Sequence, residues 1–184
     1  MTNQTNNINQ INQINHTNHI NNTNHINQTN HTNHINKTAI ITGASRGIGA
    51  AIAKKLASCG YNLSLCCRNS SDRLKALADE LHCAYGIEVL CYTGNVGDFF
   101  FAKDMVTKTI SHFGHIDVLI NNAGISHIGL LSDMTPEEWN NIVAINLTGV
   151  FNFTKLVIPY MVADKCGRIL PVSYTHLRAH ETVL

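Results

Sequence analysis

Three glycines and a guanidinium fall within eight residues at Thr42-Gly43-Ala44-Ser45-Arg46-Gly47-Ile48-Gly49. Glycine allows a tight turn and the close approach of a bulky anion, and a helix that opens inside such a turn points unpaired amides at that anion. The chemistry this spacing supports is the grip of a dinucleotide pyrophosphate, with Gly43, Ser45, Arg46, Gly47, Ile48 and Gly49 as candidate binding residues. A glycine-rich turn carries weight only between a strand and a helix.

Both flanks are present. Thr38 to Thr42 reads as a strand, Gly47 to Cys59 as a helix and Asn62 to Cys67 as a second strand of unbroken apolar character. Ser71 to Tyr85 reads as helix, Glu88 to Tyr92 as strand, Phe99 to Phe113 as helix and Ile116 to Ile120 as strand. Strands without polar alternation, each followed by a helix, predict an α/β fold in which a doubly wound parallel sheet is covered on both faces. A longer helix opens at Thr135-Pro136-Glu137-Glu138, which supplies a threonine cap, a first-turn proline and a glutamate three residues after the cap. Trp139, Ile142, Val143, Leu147, Val150 and Phe151 recur along it at helical spacing, so that face is expected to pack as core or subunit interface. Gly167 to Leu170 begins a fifth strand.

The 184 residues divide sharply in composition. Residues 1–36 are almost entirely Asn, Gln, His, Thr and Ile in a three-residue repeat. That period matches neither a helix nor a strand, and so few large apolar groups cannot offset the entropy of ordering, so the segment is expected to be disordered. Its histidines, His16, His19, His25, His31 and His34, follow from the repeat and are not read as metal ligands. The net charge of +1 provides no basic field for nucleic acid and no polybasic patch for a membrane. The six cysteines lack metal-ligand spacing and read as reduced thiols of a cytoplasmic protein.

Two further motifs make the pattern specific. Asn121-Asn122-Ala123-Gly124 follows the fourth strand, and Asn146 lies in Ala144-Ile145-Asn146-Leu147. With Thr-Gly-x-x-x-Gly-x-Gly in the first turn, residues 37–170 resemble the short-chain dehydrogenase/reductase family, nearest in appearance to its β-ketoacyl-acyl-carrier-protein reductases. The resemblance implies a Rossmann-type sheet, here about five strands, and an oxidoreductase of carbonyl or 3-oxoacyl substrates that forms homo-oligomers. It also implies cofactor contacts at Asn122, Ala123 and Gly124, and at Asn95 and Val96, with Asn95 standing where the family has an adenine-contacting aspartate. Asn146 matches the asparagine that supports a proton-relay water and is the one catalytic residue carried over.

Charge decides the expected cofactor. An acid at the end of the second strand would accept from a ribose 2′-hydroxyl and repel a 2′-phosphate. Cys67 occupies that place, Arg68 follows it and Arg46 lies in the glycine turn, a set that favours NADP(H) over NAD(H) unless the arginines are only solvated surface charges.

The resemblance implies a catalytic serine after the fifth strand and a Tyr-x-x-x-Lys about a dozen residues on. No tyrosine of the 184 residues is followed four positions later by lysine. Val172 to Thr182 instead match the translation of a transposase adapter used in sequencing libraries, so residues 171–184 are expected to be non-native and the chain inactive. Ser173, Tyr174 and Arg178 imitate the missing group, but adjacent Ser and Tyr cannot converge on one carbonyl from separate elements, and arginine does not replace lysine. The competing expectations are a non-enzymatic dinucleotide-binding or regulatory protein of the same fold, which needs no relay asparagine, and an α/β domain without a nucleotide site.

Overall fold

The computed structural model describes residues 36–172. The expectations for the N-terminal repeat and for Ser173, Tyr174 and Arg178 lie outside the described residues. Five parallel strands form one sheet in the order β3-β2-β1-β4-β5: β1 is Thr38–Thr42, β2 Asn62–Cys67, β3 Val89–Thr93, β4 Val118–Asn121 and β5 Arg168–Pro171. The chain winds outward from β1 to β3, returns, and places β4 on the other side of β1. Strand order therefore reverses between β1 and β4, and the crevice beyond their carboxyl ends is where such sheets bind ligands.

The apolar runs of β1 and β2 are buried along their whole length. This follows from cover on both faces. Ala39, Ile41, Leu63 and Leu65 pack with Ala53 and Ala57 of α1 (Gly47–Ser58) and with Leu74 and Leu81 of α2 (Ser71–Tyr85). On the other face Ile40, Cys66 and Leu119 pack with Met105 and Val106 of α3 (Phe99–Phe113) and with Phe153 and Val157 of α5 (Gly149–Ala163). The loop after β4 leads to α4 (Pro136–Val143), where the threonine start forms a reciprocal cap: Glu138 N donates to Thr135 Oγ1 at 3.2 Å and Thr135 N to Glu138 Oε2 at 2.9 Å. A π-helical turn, Ala144–Thr148, joins α4 to α5.

Strand edges move by a residue or two from the sequence expectation: β3 is shifted one residue later, β4 starts at Val118 although Ile116 is buried, and β5 continues through Pro171. Val172 N then donates to Asn121 O at 2.9 Å, so the ladder continues past the expected boundary at Leu170. For the helical stripe, expected to pack as core or subunit interface, the core alternative falls. Trp139, Leu147 and Phe151 are exposed, and the residues that face the sheet are Ile145, Gly149, Asn152, Phe153, Val157 and Met161. The helix is apolar on two sides, and periodicity alone selected the outer one. By length and composition the continuous helix Pro136–Ala163 could cross a membrane, which the sequence reading did not anticipate, but its inward side belongs to the core of a parallel sheet.

All six cysteines are free thiols. Burial pushes the Cys66 thiol up to about 12, whereas Cys59, Cys83 and Cys166 are exposed. A neutral-disulfide thiol reagent at pH 8 is expected to label those three within the fast phase and to reach Cys66 only on unfolding. Because the folded value lies above that of the free thiol, the contribution of Cys66 to stability is present below pH 9.0 and is lost as pH rises toward about 12. Rapid labelling of Cys66 in the folded chain would contradict this packing.

Candidate dinucleotide-binding site

The glycine turn is fixed by stitching between the ends of β1 and β4. Thr42 Oγ1 accepts from Asn122 N and from Ala123 N, each at 3.0 Å, while Asn122 Nδ2 donates to Thr42 O and Gly43 O, also at 3.0 Å. The turn lies so close to the β4 loop that a Cβ on Gly43, at φ +67°, would sit 2.8 Å from Ala123 Cα. Gly49 serves a different purpose from the one expected of it. It is buried away from the cleft, and a Cβ there would overlap Gly43 O and lie 2.5 Å from Asn122 Nδ2, so its hydrogen lets α1 seat on the turn that precedes it. Gly49 is thus a packing residue and not a wall of the site.

The remaining expected residues converge. Gly43, Ser45, Arg46, Gly47 and Ile48 line one side of a cleft of about 620 Å³ at the switch point. Arg68, Asn95, Val96, Asn122, Ala123 and Gly124 line it too, together with Asn69, Ser70, Gly94, Ile125 and Ile145, which sequence reasoning did not select. Ile125 continues the Asn-Asn-Ala-Gly run and could have been found by extending it. Ile145 gave no local signal, since only the helix packing brings it to the cleft.

The cleft suits a dinucleotide on three counts. Its volume lies in the range of small-molecule sites. The first turn of α1 has no side-chain cap bond and no acidic residue, so its leading amides are free to meet an anion. Among the described residues neither Arg46 nor Arg68 belongs to an ion pair, and both are exposed at the cleft.

Two of the expected residues use their side chains within the protein as well. Asn95 Oδ1 accepts from Gly97 N at 3.0 Å, so the side-chain carbonyl already braces its own turn, with one lone pair left for an adenine amine. Asn146 does not line the cleft. Its Oδ1 accepts from Ile125 N at 2.9 Å and its Nδ2 donates to Ile125 O at 2.8 Å, so both ends of the amide clamp the backbone of the β4 loop. Asn146 also lies in the π-turn Ala144–Thr148, where the regular i to i−4 ladder is broken.

Strand reversal, a glycine turn at a helix start and a cleft between β1 and β4 define a dinucleotide-binding α/β protein of the Rossmann type. The chain belongs to the short-chain dehydrogenase family, whose model matches residues 37–179. It is 41% identical over 134 residues to a 3-oxoacyl-acyl-carrier-protein reductase of Staphylococcus epidermidis, covering 73% of this chain and 54% of that protein. It is 39% identical over 140 residues to a D-beta-hydroxybutyrate dehydrogenase of Cupriavidus necator, covering 76% and 54%. An alcohol dehydrogenase of the archaeon Thermococcus sibiricus, solved with 5-hydroxy-NADP, superimposes with a TM-score of 0.69 at 36% identity over 73% of this chain and 57% of that one. The chain spans about half the length of the curated relatives it matches.

Proposed function

We propose that these residues form the NADPH-binding half of a cytoplasmic carbonyl reductase acting on 3-oxoacyl groups, and that a polypeptide of these 184 residues binds the cofactor without turning substrate over. The observation that carries the cofactor choice is the pair of unpaired guanidiniums, Arg46 and Arg68, beside Cys67 at the end of β2, with no carboxylate among the cleft-lining residues. The 3-oxoacyl class is supported by the names of the relatives, one a 3-oxoacyl-acyl-carrier-protein reductase and one a hydroxybutyrate dehydrogenase. Free thiols throughout fit a reducing compartment.

In the bound state the reduced nicotinamide supplies the hydride. The amides at the start of α1 hold the pyrophosphate, and Arg46 and Arg68 hold the 2′-phosphate with charge-assisted bonds. Ala123, Gly124 and Ile125 form the cleft wall beyond β4, kept in place by the Asn146 clamp on Ile125. The outer apolar stripe of α4 and α5, with Trp139, Leu147 and Phe151 exposed, is the surface through which the whole reductase pairs with a second copy.

Arg68→Ala tests the cofactor choice. A charge-assisted hydrogen bond contributes roughly 1.5–3 kcal/mol, so NADPH affinity should fall by about one to two orders of magnitude while NADH affinity stays nearly constant. Equal weakening of both would make Arg68 a surface charge and overturn the assignment.

A further inference from the structure

Asparagine is a poor residue for the interior of a helix and is costly to bury without partners. Asn152 does both: it sits in the first half of α5 at 2% exposure, on the side of the helix that faces the sheet. Its Nδ2 donates to Val96 O and to Gly97 O, each at 3.2 Å, across 56 and 55 residues of sequence. Those carbonyls belong to the segment between β3 and α3, whose residues 94–96 line the cleft. At its ends that segment is held by Gly94 N, which donates to Cys67 O at 2.9 Å, and by Asp98 N, which donates to Asn95 O at 3.0 Å, while Val96 and Gly97 between them pair with no strand. It is shaped by Asn95 Oδ1 on Gly97 N and by the seat that α5 provides, where Gly149 lies so close that a Cβ would be 2.8 Å from Val96 Cγ2 and 3.2 Å from Val96 Cβ.

One continuous helix therefore reaches two walls of the same cleft. Asn146 clamps Ile125 beyond β4, and Asn152, more than one and a half turns later, clamps Val96 and Gly97 beyond β3. We infer that Asn152 is a positioning residue for the adenine side of the site: it fixes the Gly94–Gly97 wall and thereby sets the affinity for the adenosine 2′-phosphate half of the cofactor. The inference rests on the dinucleotide reading of the cleft. It differs from the Arg68 claim because Asn152 touches no ligand and acts only through backbone carbonyls.

The test titrates the full 184-residue chain with two probes: 2′,5′-ADP, which needs the adenine wall, and inorganic pyrophosphate, which needs only the glycine turn. Asn152→Leu keeps the branched outline of the side chain, with somewhat more bulk, and removes the donor. Its affinity for 2′,5′-ADP should fall about tenfold while pyrophosphate binding stays within about twofold, and Asn152→Gln, which restores a donor, should recover part of the loss. A role in folding alone would weaken both probes together and would overturn the proposal, as would an unchanged 2′,5′-ADP affinity in Asn152→Leu. Gly149→Ala covers the case in which the leucine variant does not fold. Alanine is the better helix former, so the helix is kept while the added methyl displaces Val96, and the same selective loss of 2′,5′-ADP binding is expected. Unaltered binding there refutes the wall argument independently. If the unsubstituted chain binds pyrophosphate but not 2′,5′-ADP, the dinucleotide reading itself fails and this proposal falls with it.

Discussion

Gly49→Ala is expected to destabilise the chain and abolish dinucleotide binding together, although alanine would favour the helix it enters. Intrinsic propensity favours the substitution by up to about 1 kcal/mol. Against it stands a methyl that would overlap Gly43 O and lie 2.5 Å from Asn122 Nδ2 and 3.1 Å from Ala44 Cα. Two of these three neighbours are backbone, so no rotamer change removes the clash, and α1 must lift from the turn after β1. Overpacking of this kind costs about 3 kcal/mol at its upper end, which outweighs the propensity gain and leaves a net loss of about 2 kcal/mol. For a folded unit of this size that is a fall in Tm of roughly 5–10 °C. The same displacement breaks the bonds from Asn122 to Thr42 and Gly43 that shape the phosphate turn. Thermal melts and NADPH titration of the two proteins check both effects. A variant as stable as the parent that still binds would show that Gly49 is not the contact on which the turn is built.

The second large effect concerns turnover. A polypeptide of these 184 residues is expected to oxidise no NADPH in the presence of a 3-oxoacyl thioester or diketone above a protein-free control. A positioned proton donor contributes about 10²–10⁴ to the rate of such a reduction. The family supplies it through a tyrosine whose neighbouring lysine favours the ionised form, and the sequence contains no Tyr-x-x-x-Lys. Nor can Asn146 substitute, since both ends of its amide are engaged by Ile125. Tyr174→Phe must then leave the background unchanged. Measurable oxidation that disappears in Tyr174→Phe would make Tyr174 a true proton donor and reverse the account of residues 171–184.

What could be read in the sequence was whatever is decided locally. The glycine turn, the strand runs that are buried on both faces and the Thr135 to Glu138 cap are fixed by residues within a few positions of one another, and each was placed correctly. The parallel, doubly wound sheet followed from apolar strands that alternate with helices, whereas its strand order comes from the structure. What escaped was long-range. Nothing near Asn146 in sequence announces that both ends of its amide clamp Ile125, 21 residues away. Gly49 counted as one more phosphate glycine because spacing does not tell a hydrogen facing a ligand from one facing the protein's own turn. The helix from Pro136 to Ala163 has apolar residues on two sides, and a period of 3.6 cannot say which side meets the sheet. A π-turn interrupts that helix, and nothing in Ala144 to Thr148 announces it.

The central claim is that the cleft between β1 and β4 is an NADPH site whose selectivity lies in Arg46 and Arg68. Calorimetric titration of the unsubstituted chain with NADPH and with NADH, at one ionic strength, tests it most directly. Two charge-assisted contacts to the 2′-phosphate should make NADPH bind at least about tenfold more tightly than NADH, with one site per chain. Equal affinity for the two, or no saturable binding of either, would contradict the account.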